Sequence, residues 1–234
     1  MAKLSLLDMV QNILNAMDSD EVNSISDTTE SAQVATIVKE TFFDLMAIRD
    51  WPFLRTETTL TGLGDTSNPT KMEIPETVNK IFWIKYNKKD VEYLDPKSFK
   101  DMIDARTASS TVDANGFVTN ADPVYWTSYD DKYIIFDGYD SSVDTTLMAS
   151  KSFVYGLNAA SWTHSDSFVP DLPDKYFPTL LAESKAACFI NLKQQMNNRE
   201  EMKAKRGRVT MQNEAWRNEK GEVKSNSKVN YGRK

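Results

Sequence analysis

The segment DDKYIIFDGYDSSVD places five carboxylates, Asp130, Asp131, Asp137, Asp140 and Asp144, within fifteen residues. Two carboxylates across a cleft, one kept protonated by burial, are what glycoside hydrolysis needs. Asp130 or Asp131 with Asp137 would form that pair. The same aspartates stand in two turns around a short strand, where Asp is favoured for turn geometry alone. The run from Asp137 to Asp144 lacks the fixed glycine and terminal glutamate of a calcium loop. Just upstream, Tyr125, Trp126 and Tyr129 offer a stacking platform for sugar rings. Tyr125 and Trp126 are neighbours on a strand and point to opposite faces, so at least one of them belongs to a core. This region is the basis of one functional reading, a peptidoglycan or glycan hydrolase or binding module.

Other chemistry is sparse. The single histidine, His164, lies in the polar stretch SWTHSDSF, and the single cysteine, Cys188, lies among alanines on a helical face. One cysteine forms no internal disulfide, and one Cys with one His makes no zinc site. No Walker loop, dinucleotide fingerprint or nucleophile elbow occurs, so no catalytic, cofactor or metal residues are assigned. The run Lys203, Lys205, Arg206 and Arg208 has the charge to meet phosphate, but Glu200 and Glu201 adjoin it. The net charge of −6 hides an asymmetry. From Arg199 onward there are eleven Lys/Arg against five Asp/Glu, while residues 1–198 hold 17 against 29. An acidic body with a basic tail points to an acidic partner for the tail. No run of eighteen apolar residues occurs, so no membrane span is expected.

The elements that position these residues follow from periodicity. Leu6, Met9, Val10, Ile13, Leu14 and Met17 form one apolar face, with Ser5 as N-cap and Asp8 three residues on. A second helix starts near Asp27-Thr28-Thr29-Glu30 and turns Ala35, Val38, Phe42, Leu45 and Met46 inward. It ends at IRDWPFL, because Pro52 disfavours helical geometry at Trp51 and has no N–H to donate. The amphipathic opening reads as a mature helix and not as a secretory signal.

From Phe53 the period changes to that of strands. Leu54–Leu60, Lys71–Ile74, Lys80–Tyr86, Val124–Tyr129, Tyr133–Phe136 and Thr145–Tyr155 are rich in Thr, Val, Ile and aromatics. They read as an antiparallel meander, with a short helix near Pro96–Ala105 and a surface loop over 108–122. Pro178 then marks the start of a long helix with Leu181, Ser184, Cys188 and Leu192 on one face. Beyond Asn197 its stripe narrows to Met202, Val209 and Trp216, seven residues apart, and Gly221 is its expected stop. A helix that outgrows its domain with so thin a seam calls for a groove on another subunit. The stretch GEVKSNSKVNYGRK has almost nothing to bury.

In sum, the residues predict an α+β protein: a helical bundle with an inserted antiparallel β domain and an extended C-terminal arm. The segments are an N-terminal αα-hairpin (1–52), a strand domain (53–169), the long helix that completes the bundle (170–220) and the arm (221–234).

The order of features resembles the tail tubular protein A family, the head-to-tail adaptors of short-tailed bacteriophages. The correspondents are Val10, Asn12, Ile13 and Leu14 in the first helix, Val22 and Ser24 in the link, Ala32 and Ala35 in the second helix, then Trp51 and Phe53. PVYWTSYDDKYIIFDGYD is similar to the family's meander, although Asp137-Gly138 stands where prolines are frequent. FVPDLPDKYFPTLLAESKAACF is similar to the approach to its last helix. The resemblance covers residues 4–55 and 123–216; residues 56–122 and the last fourteen match nothing in it.

The resemblance implies a ring of twelve copies between the phage portal protein and the tail nozzle protein, at the head–tail junction of a virion assembled in the host cytoplasm. DNA would pass through without specific binding; the acidic body suggests separately that carboxylates lining the channel would keep DNA from sticking. Portal binding would fall to Met202, Arg206, Val209, Trp216, Arg217, Lys220 and Tyr231. Trp51, Pro52 and Phe53 would form the corner between the helical and strand domains.

Overall fold

The computed structural model describes residues 3–130, 132–140 and 146–223, with side chains up to Arg217. Its chain divides into two units, Leu54–Ala159 and the flanking residues up to Phe53 and from Ala160.

In the helical unit, α1 (Leu6–Ala16) starts at a reciprocal cap. The Ser5 hydroxyl accepts from the Asp8 N–H at 3.1 Å, and the Asp8 carboxylate accepts from the Ser5 N–H at 3.1 Å. Leu6, Met9, Val10, Ile13 and Leu14 are all buried. Each contributes about 1.5–3 kcal/mol, so a charge at Ile13 would unseat the helix. Thr28 and Ser31 cap α2 (Thr29–Ala47) in the same reciprocal way. The segment ahead of Phe177 ties down α1, since the N–H groups of Leu6 and Leu7 donate to the carbonyls of Phe168 and Asp166.

α4 (Phe177–Lys193) packs against α1, α2 and the last helix, α5 (Asn198–Val223), and its buried positions alternate nearly all round the helix. Small residues at Ala182, Ser184, Ala186 and Cys188 allow three helices to approach it. The expected single long helix is broken. Gln194 closes α4 in the left-handed region, φ +52°, and α5 turns back antiparallel along it. α5 therefore packs on its own unit instead of outgrowing it, and its backbone runs helically through Gly221.

The other unit is one eight-stranded sheet in the order β1-β8-β4-β5-β6-β7-β3-β2. The strands are β1 (Arg55–Thr58), β2 (Thr61–Gly62), β3 (Lys71–Glu73), β4 (Val78–Tyr86), β5 (Lys89–Tyr93), β6 (Tyr125–Thr127), β7 (Tyr133–Phe136) and β8 (Ser152–Asn158). Laid flat, eight strands would span roughly 34 Å from edge to edge. Yet β1 and β2 occupy opposite edges and are joined by two residues, which reach at most about 11 Å. The sheet must curl toward a barrel, and Leu60, Met72, Ile84, Tyr86, Val91, Ile134, Phe136, Leu147 and Val154 fill its inside.

This corrects the expected architecture. The class is α+β, but the strand part is a curled mixed sheet and not a small antiparallel insertion into a helical bundle. The reason is β5, which pairs antiparallel with β4 and parallel with β6. A parallel neighbour requires a crossover, and α3 (Pro96–Ala105) lies in it. The rest of the crossover doubles back on itself, with bridges Ser109 to Val112 and Val112 to Val118. Gly116 is needed there: its φ is +88°, and a Cβ would lie 2.3 Å from the Ile103 carbonyl oxygen. The expected arm beyond Val223 lies outside the described residues.

Candidate functional site

The outer face of α5 is the first candidate surface. At 100° per residue, Met202, Arg206, Val209, Trp216 and Arg217 share an arc of about 100°. All five are exposed, Met202, Val209 and Trp216 at 56, 50 and 57%. The opposite arc carries Ala204, Met211 and Ala215, each under 5% exposed. Gly207 completes this inner stripe, because a Cβ there would sit 2.3 Å from Thr179 Oγ1.

Ion pairs fix the helix against α4. Arg208 donates twice to Glu183, at 2.9 and 2.7 Å, and Lys175 and the Tyr176 hydroxyl both donate to Glu214. The Lys175 ammonium, with help from Tyr176, holds the Glu214 carboxyl below its usual range. The sequence seam of Met202, Val209 and Trp216 is thus not what seats α5. Gly207 within a helical pattern was the sequence signal for the inner face, and it was missed. The Lys220 side chain and Tyr231 lie outside what the structure describes.

Asp130 and Asp137 do not form the expected pair. Asp130 caps the turn before β7, its Oδ1 accepting from the N–H groups of Lys132 and Tyr133. Asp137 follows the other end of β7. Asp137 is instead buried, accepting from the Val124 and Tyr125 N–H groups at 2.8 and 2.9 Å and from Arg106 at 2.8 Å. Arg106 also donates to the carbonyls of Asp137 and Gly116, so the group staples α3, the crossover and β7 together. Asp131 and Asp144 lie outside the described residues, and Asp140 pairs with Asn120 in an isolated bridge.

The aromatic trio separates too. Tyr125 and Trp126 are half-buried, and Trp126 packs against the sheet core. The parallel register sets Tyr93 opposite Trp126, and the rings meet edge-on at 4.9 Å. Tyr93, Trp126, Ser128, Tyr129 and Asp130 line one cleft together with Asn79. Sequence reasoning named Trp126, Tyr129 and Asp130 but missed Tyr93 and Asn79, because the pairing that recruits Tyr93 is non-local.

Elsewhere, His164 is exposed and Cys188 buried, with burial pushing the thiol up to about 12. Trp51 is fully buried in the helical unit; its Nε1 donates to the Leu45 carbonyl at 2.8 Å and its ring stacks on Phe53 at 5.9 Å. Pro52 opens a short 3-10 turn that leads into β1. Among the described residues no group of three His, Cys, Asp or Glu side chains is placed to hold a metal, and no helix is long and apolar enough to cross a membrane. No family model matches the chain, and no curated protein matches it.

Proposed function

We propose that the chain is a non-enzymatic head-to-tail connector of a bacteriophage virion, forming a ring between portal and tail nozzle through which DNA passes. The observation that carries the reading is the outer face of α5. Three large apolar side chains and two arginines line one side of a helix whose opposite side already satisfies its packing. Aromatic and arginine side chains dominate binding energy at protein interfaces. The resemblance across the first two helices and the approach to α4 supplies the partner: a portal protein, with twelve copies in the ring. The acidic body suits a channel that must not retain DNA.

The test is the mass in solution of the purified protein, alone and mixed with the portal protein of the same genome. A ring that forms with portal is the expected result, and a monomer indifferent to portal refutes the proposal. Within a positive result, Trp216→Ala should weaken docking by about 2 kcal/mol or more. Unchanged docking would remove Trp216 from the interface.

A further inference from the structure

We propose that the cleft at the end of the curled sheet is a saccharide-binding site, one that holds its ligand without cutting it. Three observations converge on it. Tyr93 and Tyr129 are 56 and 59% exposed, high for side chains so apolar, and both line the cleft with Trp126. Their rings offer the faces against which the C–H groups of a sugar stack. Beside them, Asn79 and Asp130 supply an amide and a carboxylate, groups that exchange hydrogen bonds with vicinal hydroxyls, while the Ser128 hydroxyl donates to the Asp130 and Tyr133 carbonyls and has only its lone pairs to offer. The Oδ1 atom of Asp130 is held by two backbone N–H groups, which fixes the carboxylate beside the cleft. The cleft measures about 360 Å³, within the range of small-ligand sites, and such sites occur at the mouths of curled sheets.

Charge decides among ligand classes. Lys80 is the one cation among the described residues lining the cleft, and its ammonium lies over the Phe82 ring, 5.6 Å from the centroid. The unit as a whole carries 11 Lys/Arg against 16 Asp/Glu. A phosphate-bearing strand would meet net repulsion here; a neutral, hydroxyl-rich ligand would not. A proline-rich peptide also suits an aromatic notch. However, it has few groups to engage the amide, hydroxyl and carboxylate gathered at this position. Cleavage is not expected, because Asp130 is the one carboxylate among the described residues lining the cleft, and Asp137 is buried and committed to Arg106.

The experiment titrates the full chain, by calorimetry, with maltohexaose, cellohexaose, chitohexaose and soluble peptidoglycan fragments, and separately with a polyproline peptide. Saturable binding of at least one glycan is expected. Tyr93→Ala and Tyr129→Ala should each weaken it about tenfold or more at unchanged melting temperature. Trp83→Ala, an exposed aromatic outside the cleft, should leave it unchanged. No new reducing ends should appear on prolonged incubation. The proposal is overturned if no glycan saturates, if binding survives the Tyr93→Ala/Tyr129→Ala double variant, if the peptide binds in place of the glycans, or if reducing ends accumulate. Ring formation with portal is a separate readout, so either idea can fail alone.

Discussion

Replacing Asp137 by Asn tests whether this aspartate holds the sheet unit together. The side chain is 3% exposed and its partner Arg106 is 22% exposed. Removing one member of a buried ion pair costs about 3–5 kcal/mol, because the other is left charged and unpaired. Arg106 retains some access to water and two carbonyl partners, which lowers the expected cost to about 2–3 kcal/mol. Asparagine keeps an oxygen for the Val124 and Tyr125 N–H groups, so the loss reports the contact with Arg106, its charge and its hydrogen bond together. Alanine would remove those two bonds as well and should cost about 4 kcal/mol or more. The assay is urea unfolding followed by circular dichroism and by methyl resonances of Ile134 and Val154. The two units need separate probes, because one shared transition is not guaranteed. A cycle with Arg106→Met should show a coupling of about 1–3 kcal/mol between the sites. A loss below about 1 kcal/mol for Asp137→Asn, with strictly additive effects in the cycle, would refute the reasoning.

Other outcomes follow from α5 and its surroundings. Gly207→Ala should gain about 1 kcal/mol of helix propensity but lose more by overpacking, a net cost of about 1–2 kcal/mol in thermal or urea unfolding. Both branches of Thr179 stand in the way, so a change of its rotamer brings no relief. Cys188 should resist thiol reagents at pH 8 in native protein and react fully in denaturant, since its thiol sits near 12. The Glu214 carboxyl is depressed in the folded state by Lys175 and Tyr176. Its contribution is therefore complete above the unfolded value, about 4.3, and is lost as pH falls through the lower folded value. Glu214→Gln should flatten that acid limb, by less than about 1 kcal/mol because the pair is partly exposed.

The parts of this fold with local causes could be read from the chain. α1 has a five-residue buried face and a self-contained cap; α3 has Asp95 before Pro96; β7 reads YIIF between two aspartate turns. What was hidden depends on distant partners. β5 carries three charges in KDVEY and buries only Val91, so alternation was too faint to mark an interior strand. Its parallel pairing with β6, across more than thirty residues, made the sheet mixed and brought Tyr93 to Trp126. The break after α4 has no glycine or proline to announce it. Gln194 adopts a left-handed conformation because α5 gains a packing surface by folding back, a tertiary preference that overrides the local one. On α5 the heptad of large apolar residues drew attention to the exposed face, while small residues, Ala204, Gly207 and Ala215, marked the buried one.

The short link between β1 and β2 has a consequence for how the protein is made. β1 pairs with β8 alone, and β4 uses β8 for most of its length, so the sheet cannot close until residue 158 is available. Synthesis at about 5–20 residues per second leaves β1 waiting roughly 5–20 s for its partner. The helical unit waits as well, because α1 hydrogen-bonds to Asp166 and Phe168 and packs against α4. The nascent chain thus carries unpaired strand edges and an uncovered apolar helix face for most of its translation. Its yield in a cell should depend on chaperone holding far more than that of a protein whose first fifty residues fold as they emerge.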